Sequence, residues 1–285
     1  MTGFRNIREW AECEEQGRSL VCHFRKAPSL AGTAGWWHDL SMASGSPPAN
    51  FFASTPLTSA SLTYWDGLYH GDAVAPAEKY LATMEITTTA ALTVGHYRLY
   101  DYVLYYPFID MDTVDTQTLI NSVPISRYTD GVGLEVLMIA QAPTVGAGNF
   151  TFTYVNENDV EKTSPVQYCT QFAGAMGQIV TAQPSPAVAG GSASLKLAGT
   201  DKGIKRILSV TMGATHGGLA SMVIAKPLCD IAIYEARVPN EINFVERKQC
   251  PPKIEDGAFL ALLARPTGSI AGAFYAGKLK FIWTN

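Results

Sequence analysis

The sequence runs to 285 residues, 47% of them hydrophobic and only 16% charged, with a formal net charge of −4. A chain of that length can bury a full core without disulfides or metals, and so few charges leave much of the surface neutral or covered by partners. No stretch gathers the lysines and arginines that a phosphate backbone requires, and no apolar run approaches the roughly 20 residues that span a bilayer, so neither direct nucleic-acid binding nor membrane insertion is expected.

In chain order, Met1 to Trp10 is polar and carries no apolar signal core, which predicts synthesis in the cytosol. Asn6 to Gln16 reads as one short helix, with Ile7, Trp10 and Ala11 on one face and Gly17 ending the run. Residues 27–61 are rich in Ala, Gly, Ser, Pro and Thr, yet Trp36, Trp37, Phe51 and Phe52 interrupt them. A flexible linker gains nothing from exposed rings. The segment is therefore expected to be an extended arm, ordered by packing on its own domain or on a neighbouring subunit. The expected division is an N-terminal arm over 1–56, containing the short helix, and a β body over 57–285. Deleting the arm should then leave a folded body.

From about Leu57 the pattern is that of strands. Met84 and Ile86 alternate with Thr83, Glu85 and Thr87, the run from Arg98 to Tyr106 is aromatic and β-branched, and Leu279, Phe281 and Trp283 alternate along the last strand. Turn formers punctuate these runs at Asp130-Gly131, Gly146 to Asn149, Asn156 to Asp159, Gly190-Gly191, Gly217-Gly218 and Asp256-Gly257. Short strands with such turns predict an all-β sandwich, jelly roll or barrel. The five cysteines, Cys13, Cys22, Cys169, Cys229 and Cys250, form no C-x-x-C pair and read as reduced thiols, mostly buried.

The order of features in residues 79–156 recurs in residues 205–285. Pro107-Phe108-Ile109-Asp110-Met111 matches Pro227-Leu228-Cys229-Asp230-Ile231 in its spacing of Pro, apolar residue and Asp. Asp130-Gly131 before an apolar strand parallels Asp256-Gly257, Pro143-Thr144 parallels Pro266-Thr267, and an Ala-Gly-x-Phe turn follows at Ala147 to Phe150 and at Ala271 to Phe274. Each half supplies about four strands with one apolar face that it cannot hide alone. Two copies facing each other would make a two-sheet sandwich with pseudo-twofold symmetry.

Chemistry is sparse. The histidines His23, His38, His70, His96 and His216 are scattered, and Cys22-His23 would point to opposite faces of a strand, so no metal site is expected. His70-Gly71-Asp72 and His38-Asp39 lack a nucleophile context and read as loop polarity. The acidic run from Asp110 has Asp115 where a calcium loop needs glycine and Asn121 where it needs a bidentate Glu. Gly190-Gly191 does not open a helix, so no nucleotide or other cofactor is expected. Tyr64, Trp65, Asp66 and Tyr69 form one aromatic and acidic cluster that could face a sugar, although core or interface packing explains it more simply.

The segment from Gly35 to Phe52, with its paired Trp, Asp39-Leu40-Ser41-Met42, Gly45, Pro47-Pro48 and paired Phe, resembles a signature in capsid-associated proteins of tailed phages. The run Gly203 to Val210, the Gly217-Gly218 turn and Lys226-Pro227-Leu228 are similar too. The resemblance is to capsid decoration, or cement, proteins and extends at pattern level over most of the chain. It implies a structural, non-enzymatic virion protein on the capsid surface, made in the host cytoplasm. It further implies that the protein bridges neighbouring major capsid protein subunits and self-associates, as a homotrimer. No catalytic residues carry over. Trp36, Trp37, Phe51 and Phe52 would be the arm's partner-binding anchors, since buried aromatics dominate such contacts. Another virion role (major capsid, neck or tail component) and a carbohydrate-binding or degrading jelly roll remain as alternatives.

Overall fold

The computed structural model describes residues 4, 6–29, 32–169, 176–180, 192–247 and 249–284. The Gly190-Gly191 turn and Asn285 lie outside the described residues. Helix α1 (Ile7–Glu15) is capped by Asn6, whose side chain accepts from the amides of Arg8 and Glu9, and it ends before Gly17 at φ +72°. Cys13, with Phe4 and Trp10, packs it against Tyr80, Ala82 and Ile282.

Strand β1 (Ser19–Ala27) and the short β2 (His38–Asp39) and β3 (Ser44–Ser46) come next. The first repeat supplies β4 (Lys79–Thr88), β5 (Gly95–Asp110), β6 (Gln117–Thr118), β7 (Glu135–Ala140) and β8 (Gly148–Asn156). After β9 (Glu161–Thr163) and β10 (Gln167–Cys169), the second supplies β11 (Ile204–Met212), β12 (Leu219–Ile233), β13 (Asn240–Asn243), β14 (Lys253–Ile254), β15 (Leu260–Pro266) and β16 (Tyr275–Trp283). They form three antiparallel sheets: a central one ordered β2-β15-β5-β12-β7, one wing ordered β13-β4-β16-β1-β3 with β14 also on β4, and another ordered β10-β8-β11-β6 with β9 also on β8. The fold is an all-β sandwich, as the turn grammar predicts. No helix among the described residues is long and apolar enough to cross a membrane.

The four main strands of each repeat correspond in order: β4, β5, β7 and β8 with β11, β12, β15 and β16. The copies do not each make a sheet, however; they exchange strands. β5 lies beside β12, β7 pairs β12 while β15 pairs β5, and β4 pairs β16 while β8 pairs β11. Even the minor strands obey the exchange, with β6 on β11 and β13 on β4. A pseudo-twofold axis therefore passes between β5 and β12. Exchange gives each copy's edge strands a partner in the other copy, which separately paired halves would leave open.

The long central strands serve three cores. Tyr97, Leu99, Ile231 and Ile233 face the β4–β16 wing, where Phe24, Met84, Leu279 and Phe281 meet them. Tyr106, Ile109, Met222 and Ile224 face the β8–β11 wing, against Phe150, Phe152, Ile207 and Val210. The opposite face, bearing Tyr100, Tyr102, Leu137, Val223 and Leu263, curls around a third cluster with Trp37, Met42, Phe52 and Ile179. Here the ladder closes on itself. The amide of Ala140 donates to Gln178 and that of Val180 to Met138, while Ile179 donates to Trp37 and Asp39 donates to Gly177. β2 then pairs Leu263 and Ala264 of β15.

The segment expected to be an arm is thus built into the body. β1 lies inside a wing, paired with β16 from Ser19↔Ile282 to Lys26↔Tyr275 and with β3 on its other side. The Gly, Ser and Pro content that suggested an arm instead lets the chain turn sharply between short strand pieces: Gly45, at φ +140°, packs where a Cβ would meet the Arg25 carbonyl oxygen at 2.0 Å. Deletion of residues 1–56 should therefore abolish folding, because losing β1 and Trp37 removes more than the roughly 5–15 kcal/mol that holds a domain together. The deleted chain should be insoluble or lack a cooperative thermal transition; a truncated protein that melts cooperatively would refute this placement.

Candidate functional site

Of the four rings expected to anchor a partner, Trp36, Trp37 and Phe52 are buried in the chain's own body, and only Phe51, 49% exposed, faces outward. The local backbone explains the split. Asn50 accepts from the Phe52 amide through its side chain and Phe52 adopts φ +50°, so the two neighbouring rings go opposite ways. Phe52 lies 5.6 Å from the Tyr105 ring and 6.2 Å from that of Tyr102. Trp37 lies under the Arg98 guanidinium, 5.7 Å from its ring centroid.

Two buried lysines fix the loops that carry Phe51 and Tyr69. In β1, Cys22, Phe24 and Lys26 alternate inward, which delivers Lys26 to the carbonyls of the returning chain. Its Nζ donates to Ser41 at 3.4 Å, Ala43 at 3.1 Å, Pro47 at 2.9 Å and Pro48 at 3.2 Å. Burial pushes its pKa down to about 8, against the pull of Asp39. At the start of β4, Lys79 Nζ donates to the carbonyls of Asp72 at 2.8 Å and Gly71 at 3.4 Å and lies 3.3 Å from His70 Nδ1. Asp256 stands 3.9 Å from the same ammonium and accepts from the amides of Val74 and Ala75. Period-two alternation along β1 is the signal that could have placed Lys26 inward; nothing local in the sequence announces Lys79.

Between these two clasps the 3-10 turn Tyr64–Asp66 projects a pile of rings. Tyr64 and Trp65 are 4.4 Å apart, and Trp65 stacks on Tyr69 at 5.7 Å with planes 16° from parallel. Trp65 is 55% exposed and Tyr69 41%. The turn is seated by Leu68, whose amide donates to the Leu260 carbonyl at 2.8 Å, and by Gly67, where a Cβ would meet the Leu260 nitrogen at 2.8 Å. An open groove of about 310 Å³ runs beside it, lined by Asn50, Phe51, Leu62, Thr63, Asp66 and Tyr105 among others. Asp66 is the single carboxylate in that lining, so the two facing acids that sugar hydrolysis requires are not assembled there.

The other sequence candidates serve structure. Asp39 accepts from the Ser41 amide and hydroxyl, both at 2.7 Å, whereas His38 Nε2 bonds the Thr33 carbonyl. His70 Nε2 donates to the Ala258 carbonyl at 2.9 Å, leaving Nδ1 to accept from Lys79. Asp110 holds its own turn by accepting from the Asp112 amide and the Thr113 hydroxyl. Cys22 is buried while His23 is exposed on the opposite face. Among the described residues no three His, Cys, Asp or Glu side chains gather as a metal site would require.

No protein-family model and no curated protein matches the sequence. Solved structures of infectious bursal disease virus particles align over most of the chain at very low similarity. The virus-derived T=1 particle aligns at 10% identity over 93% of this chain and 78% of that one, with a TM-score of 0.16. The Gx strain aligns at 10% identity over 94% and 80%, with a TM-score of 0.16. The VP2 subviral particle aligns at 9% identity over 94% and 81%, with a TM-score of 0.14. Overlaps this poor carry no argument for a shared fold or role.

Two predictions follow from the clasps. Lys26→Met leaves the loop carbonyls without their donor and should lower stability by on the order of 2–4 kcal/mol, read as a fall in Tm; an unchanged Tm would show the cage to be idle. The second concerns acid. The pKa of His70 is pushed down to about 4, by burial first and by the Lys79 ammonium second, and burial pushes that of His38 to about 4 as well. Below roughly pH 6.5 the unfolded chain binds protons that the folded chain refuses, so stability should drain away toward pH 4, by on the order of 3 kcal/mol per histidine. Asp39 works the other way: burial raises its pKa to about 6, so its protonation in the fold offsets part of that loss. Calorimetry should find Tm falling between pH 6.5 and 4, and falling less steeply in His70→Gln; parallel slopes for the two proteins would remove His70 from the account.

Proposed function

We propose that this chain is a structural protein of a tailed-phage particle that decorates the capsid and cements it by bridging neighbouring major capsid subunits. The observation that carries the reading is the exposure of three large rings, Phe51 in the wall of an open groove and Trp65 and Tyr69 on the turn whose Asp66 lines the same groove. Large aromatics that a chain could bury but instead presents beside a groove mark an interaction surface. The Gly35 to Phe52 resemblance supports the same class, and that segment supplies Phe51 and one wall of the groove. The protein acts without a cofactor and without direct nucleic-acid contact, as a homotrimer on the capsid surface after synthesis in the host cytoplasm. It is not an enzyme in this reading. Phe51 keeps the anchoring role first given to four rings, joined now by Trp65 and Tyr69.

Cryo-electron microscopy of purified particles tests this directly. The chain should fit repeated oligomeric density over the outer shell, with the Phe51–Trp65 surface against a capsid subunit. Density confined to a vertex, neck or tail would overturn decoration in favour of another virion role, and absence from particles would overturn both.

A further inference from the structure

We propose that the Tyr64–Trp65–Tyr69 pile, with Asp66 and Asp72, receives a cationic side chain, an arginine or lysine carried on an extended segment of the partner that lies in the adjacent groove. The proposal rests on the docking role just argued and names the chemistry of what docks.

Exposed ring surface and exposed carboxylates coincide here. Asp66 and Asp72 are both exposed and neither closes an ion pair among the described residues, although the Asp72 charge also reaches the buried Lys79 ammonium behind it. Asp72 stands close enough to Tyr64 and Tyr69 to help raise both phenol pKa values, after partial desolvation, so the carboxylate and the rings share one electrostatic neighbourhood. No lysine or arginine lines the groove beside them, and the nearby Lys26 and Lys79 are both buried, with their donors committed to backbone carbonyls. A cation over an aromatic surface gains from the ring quadrupole, and a flanking carboxylate adds a charge-assisted hydrogen bond. The planar guanidinium suits both contacts at once.

The groove supplies the rest of the fit. Its lining offers apolar surface from Leu62, Tyr105 and Phe51 and polar groups from Asp66, Asn50 and Thr63. An apolar stretch of chain can lie along the first three while a basic side chain reaches across Asp66 to the rings. An anionic segment would meet two exposed carboxylates and be repelled, which selects the sign of the partner's charge. A neutral sugar is the competing occupant.

Wild type, the double variant Asp66→Asn/Asp72→Asn and Trp65→Ala are compared in two assays, after thermal melts confirm that these exposed changes leave Tm unaltered. In the first, rebinding to particles stripped of this protein is measured across a salt series. In the second, tryptophan fluorescence is titrated with a hexa-arginine peptide and, separately, with cellohexaose. The expected results are a roughly tenfold loss of particle affinity in each variant, a flatter salt dependence in the double variant, and saturable hexa-arginine binding to wild type alone. If wild type binds particles but the double variant binds equally well with the same salt slope, and hexa-arginine does not distinguish them, the cation site is refuted while docking stands. Failure of wild type to rebind refutes the docking role, and the peptide titration still decides the cation site. Saturable cellohexaose binding lost in Trp65→Ala, without hexa-arginine binding, replaces the cation with a sugar.

Discussion

Everything in this fold hangs on the antiparallel pair β5–β12. The two strands run side by side from Gly95↔Ile233 to Asp110↔Leu219, far longer than an ordinary strand pair, and three register shifts bend them along the way. Because these strands of 16 and 15 residues outrun the 9- and 10-residue strands of the wings, one end carries the β4–β16 wing and the other the β8–β11 wing. Duplication makes this economical. A strand that lies beside its own copy across a twofold presents the same apolar pattern at both ends, so one inherited half can cover the other.

Such a pair would be hazardous if its sheet stayed open, since unpaired edges recruit other chains. The chain closes the ladder with pieces too short to be recognised as strands: residues 37–39 and 177–180 on one circuit, and residues 57–60 where β15 ends and Ala60 takes over pairing with Tyr105. The N-terminal segment is therefore the last stave of the central sheet as well as the inner strand of a wing.

Much of this was legible in the residues. The turn formers and alternating runs mark strands, and the recurring Pro-x-x-Asp spacing aligns β5 with β12. What alternation cannot say is which strand lies next to which: period two assigns a face, and face assignments are identical whether the copies stack or exchange. The same blindness turned residues 1–56 into an arm, because β2 and β3 are too short to show a period and the carbonyls of the irregular pieces flanking them, at Ser41, Ala43, Pro47 and Pro48, are held by Lys26. Of the site, the ring cluster at Tyr64 to Tyr69 was visible as composition, and its exposure was not. Phe51 and Phe52 are chemically alike, and only the Asn50 turn and a left-handed backbone at Phe52 decide which of them meets solvent.

The two lysine clasps bear on why this surface can bind at all. A loop bearing exposed rings usually loses much of its contact energy to the entropy of being ordered on binding. Here the loop is ordered beforehand. Lys26 gathers the carbonyls leading to Phe51, Lys79 gathers those just after Tyr69, and Leu68 and Gly67 press the turn onto β15 between them. Each ammonium gives up hydration to do this, as the lowered pKa of both lysines records. A core lysine whose donors go to loop carbonyls is poor value for stability alone, since an apolar core with a shorter loop would cost less. It makes sense when the position of the loop matters, and the loops these lysines hold are the ones that carry the exposed rings.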